Sequence, residues 1–136
     1  MATESVESVQ TAVARDAWMA PDGGFVTIGE IVKEKGSVFH VDAVQAPGKL
    51  RLDMQELAAI DMLSISGHKL HAPKGVGALY VRRGTKLRPL IVGGHQERGR
   101  RAGTENVPAI AGFGTACTMA ADSIDHENSV VRGLRD

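Results

Sequence analysis

Two apolar runs end in side chains that carry chemistry. VFHVD ends at Asp42, and DMLSIS leads straight into Ser66-Gly67-His68-Lys69. In an open sheet of strands and helices, ligands collect at the carboxyl ends of the strands. If the two runs are neighbouring strands, a carboxylate, a hydroxyl, an imidazole and an amine converge on one small site. That set is what a pyridoxal phosphate site requires. The lysine forms a Schiff base with the cofactor and later moves protons. The carboxylate keeps the ring nitrogen protonated, so that the ring accepts electrons. Hydroxyl, imidazole and backbone N–H groups hold a phosphate. Asp and Lys also stand at strand ends in many proteins of other function, so the spacing alone leaves this chemistry as one of several.

These residues need elements to position them. Val6, Val9 and Val13 have helical spacing over residues 3–15, and the Pro/Gly-rich residues 20–24 read as a linker. Residues 26–36 predict a short helix, with Ile28, Ile31 and Val32 on one face, lysines in the last turn and Gly36 as terminator. Strands are expected at 37–42, 61–66 and 78–83, and a second short helix at 53–60. Residues 84–106 hold too much Gly and Arg for a regular element. Pro108 suits the first turn of a helix reaching about residue 126, capped by Thr104 or Asn106. Strands alternating with helical stretches predict the α/β class.

The chain has 136 residues, enough for one domain, with 43% hydrophobic and 24% charged residues. No apolar run approaches the ~18–20 residues of a membrane span. The N-terminus is polar and acidic, unlike a secretory signal. One cysteine excludes an intrachain disulfide, and cytoplasmic residence is expected. Sixteen basic residues balance sixteen acidic ones, which argues against nucleic acid or an anionic membrane as partner. Charge and glycine are unevenly spread, however. Eight of the sixteen glycines lie within residues 66–104, and residues 82–101 hold seven basic side chains against one acid, Glu97. Such a stretch suits a small anionic ligand.

Three longer segments carry more than spacing: FHVDAVQAPGKL, MLSISGHKLHAPKGVGALYVRRGT and GGHQERGRRAGTENVPAIAGFGTA. With the tail HENSVVRGLRD, they make the chain from about Gly29 to Asp136 resemble the central part of a NifS/IscS-type cysteine desulfurase, a pyridoxal phosphate enzyme of the class V aminotransferase fold. The resemblance implies part of the large cofactor-binding domain of a fold-type I enzyme over residues 26–136, with a mostly parallel sheet and flanking helices. It implies Lys69 as the Schiff-base lysine, Asp42 on the pyridine nitrogen, Gln45 on the phenolic oxygen, and Ser66 and His68 on the phosphate. Thr104 is implied to reach the phosphate of a partner subunit, since the family builds its site across a homodimer. The implied reaction takes sulfur from L-cysteine, releases L-alanine and leaves a persulfide on an enzyme thiol. An iron–sulfur scaffold protein is the implied acceptor.

The sequence departs from the family in places. Residues 1–25 show no family match, and RDAWMAPDGG lacks the asparagine that the family carries just upstream of the first matching stretch. The family's cysteine loop and substrate-clamping arginine have no counterpart here. The chain is therefore expected to be a fragment, inactive and poorly soluble alone. A selenocysteine lyase, an aminotransferase or a truncated non-catalytic paralogue are the alternative readings.

Cys117, in the small-residue run FGTACTMAA, is expected to be a buried helix residue. His40 lies two residues before Asp42, on the same strand face, and reads as a structural histidine. Arg98, Arg100 and Arg101 read as an interface loop bent at Gly93, Gly94 and Gly99. No histidine pair has metal-site spacing.

Overall fold

The computed structural model describes residues 23–136. The helix expected over residues 3–15, and most of the segment 1–25 expected to lack a family match, lie outside the described residues. Of the linker expected at 20–24, Gly23 and Gly24 instead belong to helix α1 (Gly23–Glu34), and the rest lies outside the described residues. Ile28 and Val32 of α1 pack on the core, whereas Ile31 is 54% exposed and falls outside the face expected for it. Gly36 ends the helix as its sequence predicts. It adopts φ 65°, its N–H donates to Lys33 O (2.9 Å) and the next N–H, of Ser37, donates to Val32 O (3.1 Å). This is a Schellman closure, in which a left-handed glycine lets two orphan carbonyls be satisfied.

Three strands follow: β1 (His40–Asp42), β2 (Met62–Ser66) and β3 (Gly77–Val81), in the order β1-β2-β3. The β1–β2 pair is parallel, with Val41 opposite Leu63 and Asp42 opposite Ser64. The β2–β3 pair is antiparallel, so this part of the sheet is mixed where a mostly parallel one is expected. Loop length is the reason. Residues 67–76 are too few for a parallel crossover, which needs about a dozen residues or more, so β3 can only turn back.

The helix expected at 53–60 is absent. Asp53 Oδ1 accepts the Gln55 N–H (2.7 Å) in a side-chain turn, and only one helical backbone bond forms, Leu57 N–H to Asp53 O (2.8 Å). Three carbonyls of this segment point at Arg82. Its Nε donates to Ile60 O (2.8 Å), and its Nη2 donates to Met54 O and Leu57 O (both 2.9 Å). The guanidinium carbon also lies 5.6 Å from the centre of the Tyr80 ring. Hydrogen bonds from a charged donor contribute about 1.5–3 kcal/mol each, less where water reaches them. We expect Arg82→Ala to cost about 2–4 kcal/mol in chemical denaturation. Arg82→Lys should recover little of this, because one ammonium does not reproduce a planar fork. A loss below about 0.5 kcal/mol would show that the staple carries no weight.

The main core lies under one face of the sheet: Phe39, Val41, Ala43, Ile60 and Leu63, covered by Ile28 and Val32 of α1. A second cluster joins Leu70 and Ala72 to Phe113 and Ala116 of the last helix, with Ile65 of β2 against both clusters. That helix is α3 (Val107–Arg135), preceded by the single turn α2 (Gln96–Gly99). Asn106 Oδ1 caps α3 by accepting the Ala109 N–H (3.2 Å). It runs to residue 135, beyond the expected 126, and its later turns are tied to the β1–β2 crossover. Asn128 Nδ2 donates to Lys49 O (2.9 Å), and Arg51 pairs with Asp125 at 2.7 Å. No helix among the described residues is long and apolar enough to cross a membrane.

Candidate cofactor site

Strand alternation and one hydrogen bond define the face that carries the polar residues. Successive strand residues point to opposite faces. Val41 and Leu63 lie on the core side, which leaves His40 and Asp42 of β1, and Ser64 and Ser66 of β2, for the other. His40 Nε2 and Ser64 Oγ share a hydrogen bond of 2.7 Å, which shows that the two sets meet on one side. The result is a polar row over His40, Asp42, Ser64 and Ser66 along a parallel pair, ending at its carboxyl edge. Asp42 is exposed, and its Oδ1 accepts the Val44 N–H at 3.2 Å.

Ser66 passes into a 3-10 turn, Gly67–Leu70, that is pinned at both ends. At its start the Gly67 N–H donates to Val76 O (2.9 Å), and Gly67 O accepts from the Ala72 N–H (3.1 Å). A Cβ at Gly67 would stand 2.9 Å from both Val76 Cγ1 and Val76 O, so only glycine allows this approach. At its end Leu70 is buried against α3, and His71 closes the turn in the left-handed region (φ 63°). Between these anchors His68 and Lys69 are exposed. Ser66 Oγ and His68 Nδ1 share a hydrogen bond of 2.8 Å, which brings hydroxyl and imidazole together at the strand end.

Asp42, Ser66, His68 and Lys69 are thus carried on two adjacent strand ends. Gln45 is exposed in the turn just after β1, closed by the Ala46 N–H to Ala43 O bond (2.9 Å). Thr104 is exposed between α2 and α3, and no hydrogen bond among the described residues joins it to the others. Just before it the chain is bent: Glu97 (φ 49°), Arg98 (φ 58°) and Gly99 (φ 76°) are consecutively left-handed. Cys117 is half-buried on α3 beside the Leu70 cluster, and burial raises its thiol pKa above the ordinary value. Two residues that matter here do not stand out in the sequence. Ser64 pairs with His40 only through the strand register, and Arg82 acts on carbonyls more than twenty positions away.

The family model described as "Aminotransferase class-V" matches residues 24–132. The chain belongs to that family. The cysteine desulfurase of Gluconacetobacter diazotrophicus is 57% identical to this class V aminotransferase chain over 133 residues, covering 95% of it and 33% of the relative. Among solved structures, a "NIFS-like protein" matches with a TM-score of 0.72 at 41% identity, over 82% of this chain and 33% of the other. A structure titled "SspA in complex with cysteine" matches at 47% identity with a TM-score of 0.65, over 70% of this chain and 28% of that one. The class V chain therefore spans about a third of the length of the relatives it matches.

Proposed function

We propose that this chain is the cofactor-carrying segment of a pyridoxal phosphate-dependent cysteine desulfurase, with residues 26–136 as its share of the large domain. One observation carries the reading: an exposed lysine on a turn pinned at both ends, beside a carboxylate and a hydroxyl–imidazole pair at adjacent strand ends. The relatives named as cysteine desulfurases, and the similar structure titled as a complex with cysteine, supply the substrate class.

The donor set fits the cofactor chemically. An aldehyde carbon needs an amine, a pyridinium needs an anion, and a phosphate needs uncrowded donors. Lys69 and Asp42 make no ion pair among the described residues, so amine and carboxylate are both available. Pyridoxal phosphate, when bound, supplies the electron sink that renders the substrate Cα proton acidic.

The chain's own residues do the rest. Lys69 would hold the aldehyde carbon through its amine and would serve as the base that takes the substrate Cα proton. Asp42 would keep a proton on the ring nitrogen, and Gln45 would donate to the phenolic oxygen. Ser66 and His68 would hold the phosphate, with Thr104 reaching that of a partner subunit in a homodimer. In the net reaction an enzyme thiol takes the sulfur of L-cysteine as a persulfide and L-alanine leaves. Cys117 is a poor candidate for that thiol: it is half-buried on α3, and burial raises its pKa. The persulfide then serves an iron–sulfur scaffold protein in the cytoplasm.

Reduction with borohydride after loading with pyridoxal phosphate tests the assignment. Peptide mapping should find one modified residue, Lys69. Label scattered over surface lysines, or none, would refute it.

A further inference from the structure

We propose that His40 and Ser64 are positioning residues of the cofactor site: their hydrogen bond holds Asp42 in register with the turn that carries Lys69. This rests on the cofactor reading above and adds two residues to it. The bond runs diagonally. His40 stands opposite Met62, yet its ring reaches forward to Ser64, the residue opposite Asp42. Ser64 belongs to the same strand that two residues later becomes Ser66 and the lysine turn. The imidazole thus couples the carboxylate's strand to the lysine's strand at the level of the carboxylate.

Burial alone cannot fix that register. A slip of one residue would turn Val41 out of the core and is rejected by alternation. A slip of two residues keeps Val41 on the apolar face while moving Asp42 about 6.6 Å along the sheet, far beyond hydrogen-bond tolerance. Only three residue pairs make the β1–β2 ladder, so the ladder resists such a slip weakly. Phe39 is bonded to Asp61 where the ladder begins, away from Asp42 (Phe39 N–H to Asp61 Oδ2, 2.9 Å). Among the described residues, His40–Ser64 is the one side-chain hydrogen bond between β1 and β2.

The test compares His40→Ala, Ser64→Ala and His40→Gln in the full-length protein. Glutamine places an amide nitrogen where the imidazole has Nε2. Both alanine variants should hold pyridoxal phosphate about tenfold more weakly and shift the pH midpoint of its visible absorbance. His40→Gln should restore both. Alanine variants that load and titrate like the parent, or a glutamine variant that rescues neither readout, would overturn the proposal. Should the parent itself take no cofactor at Lys69, the functional reading fails, and the register claim is decided by hydrogen exchange. The Ala43 N–H, bonded to Ser64 O at 2.9 Å, should then exchange about tenfold faster in His40→Ala and recover in His40→Gln. Parental exchange in His40→Ala would overturn the register claim.

Discussion

Under the proposed function, replacing Lys69 with alanine should lower alanine formation from L-cysteine by about a thousandfold or more in the full-length protein, since the residue is proposed both to hold the cofactor and to move the Cα proton. The fold should barely notice. Lys69 is exposed, and the turn around it is held by Gly67 and Leu70 rather than by the lysine. We therefore expect stability within about 0.5 kcal/mol of the parent, as for other surface changes. Lys69→Arg should not rescue, because a guanidinium stays protonated and cannot act as nucleophile or base at neutral pH. Single-turnover assay of alanine formation makes the comparison. Residual activity above a tenth of the parent's would remove Lys69 from the chemistry.

The second large effect belongs to Asp42. Its Oδ1 accepts the Val44 N–H, a local cap that an asparagine oxygen can reproduce, so Asp42→Asn keeps the turn and removes the charge. A charge-assisted hydrogen bond contributes about 1.5–3 kcal/mol, which corresponds to roughly a 10–150-fold fall in kcat. Asp42→Ala should match that fall and also lower stability, since the cap goes too. Steady-state kinetics and denaturation, run on both variants, separate the two contributions. If Asp42→Asn stays within twofold of the parent, the carboxylate caps a turn and does nothing more.

Much of this was legible before any coordinates. β1 and β2 lie within the runs read as strands, and β3 is shifted by one to two residues from its run, because Val, Ile and Leu cluster there between Gly and Pro. Gly36 and Asn106 ended and began their helices for local reasons that any sequence shows. The strand-end residues Asp42 and Ser66 were visible for the same reason, and the parallel pairing of β1 with β2 brings their strand ends side by side. What failed depended on partners distant in sequence. Residues 53–60 have helical composition, but Arg82 takes the carbonyls of Met54, Leu57 and Ile60. The reversal at β3 has instead a local cause, the short loop after Ser66. His40 looked like an ordinary strand histidine until its register with Ser64 was known.

The Arg82 staple also orders events during synthesis. Its three acceptors lie 22 to 28 positions earlier in the chain. At about 5–20 residues per second, they leave the ribosome one to several seconds before the guanidinium that gathers them. Until then the crossover between β1 and β2 is a loop without its clasp, and the entropy of closing it is offset only by the β1–β2 ladder and the core contacts of earlier residues. The carboxylate arrives first, the lysine second, and the arginine that locks their shared scaffold last. A pause in translation just before residue 82 would prolong the interval in which that crossover lacks its clasp.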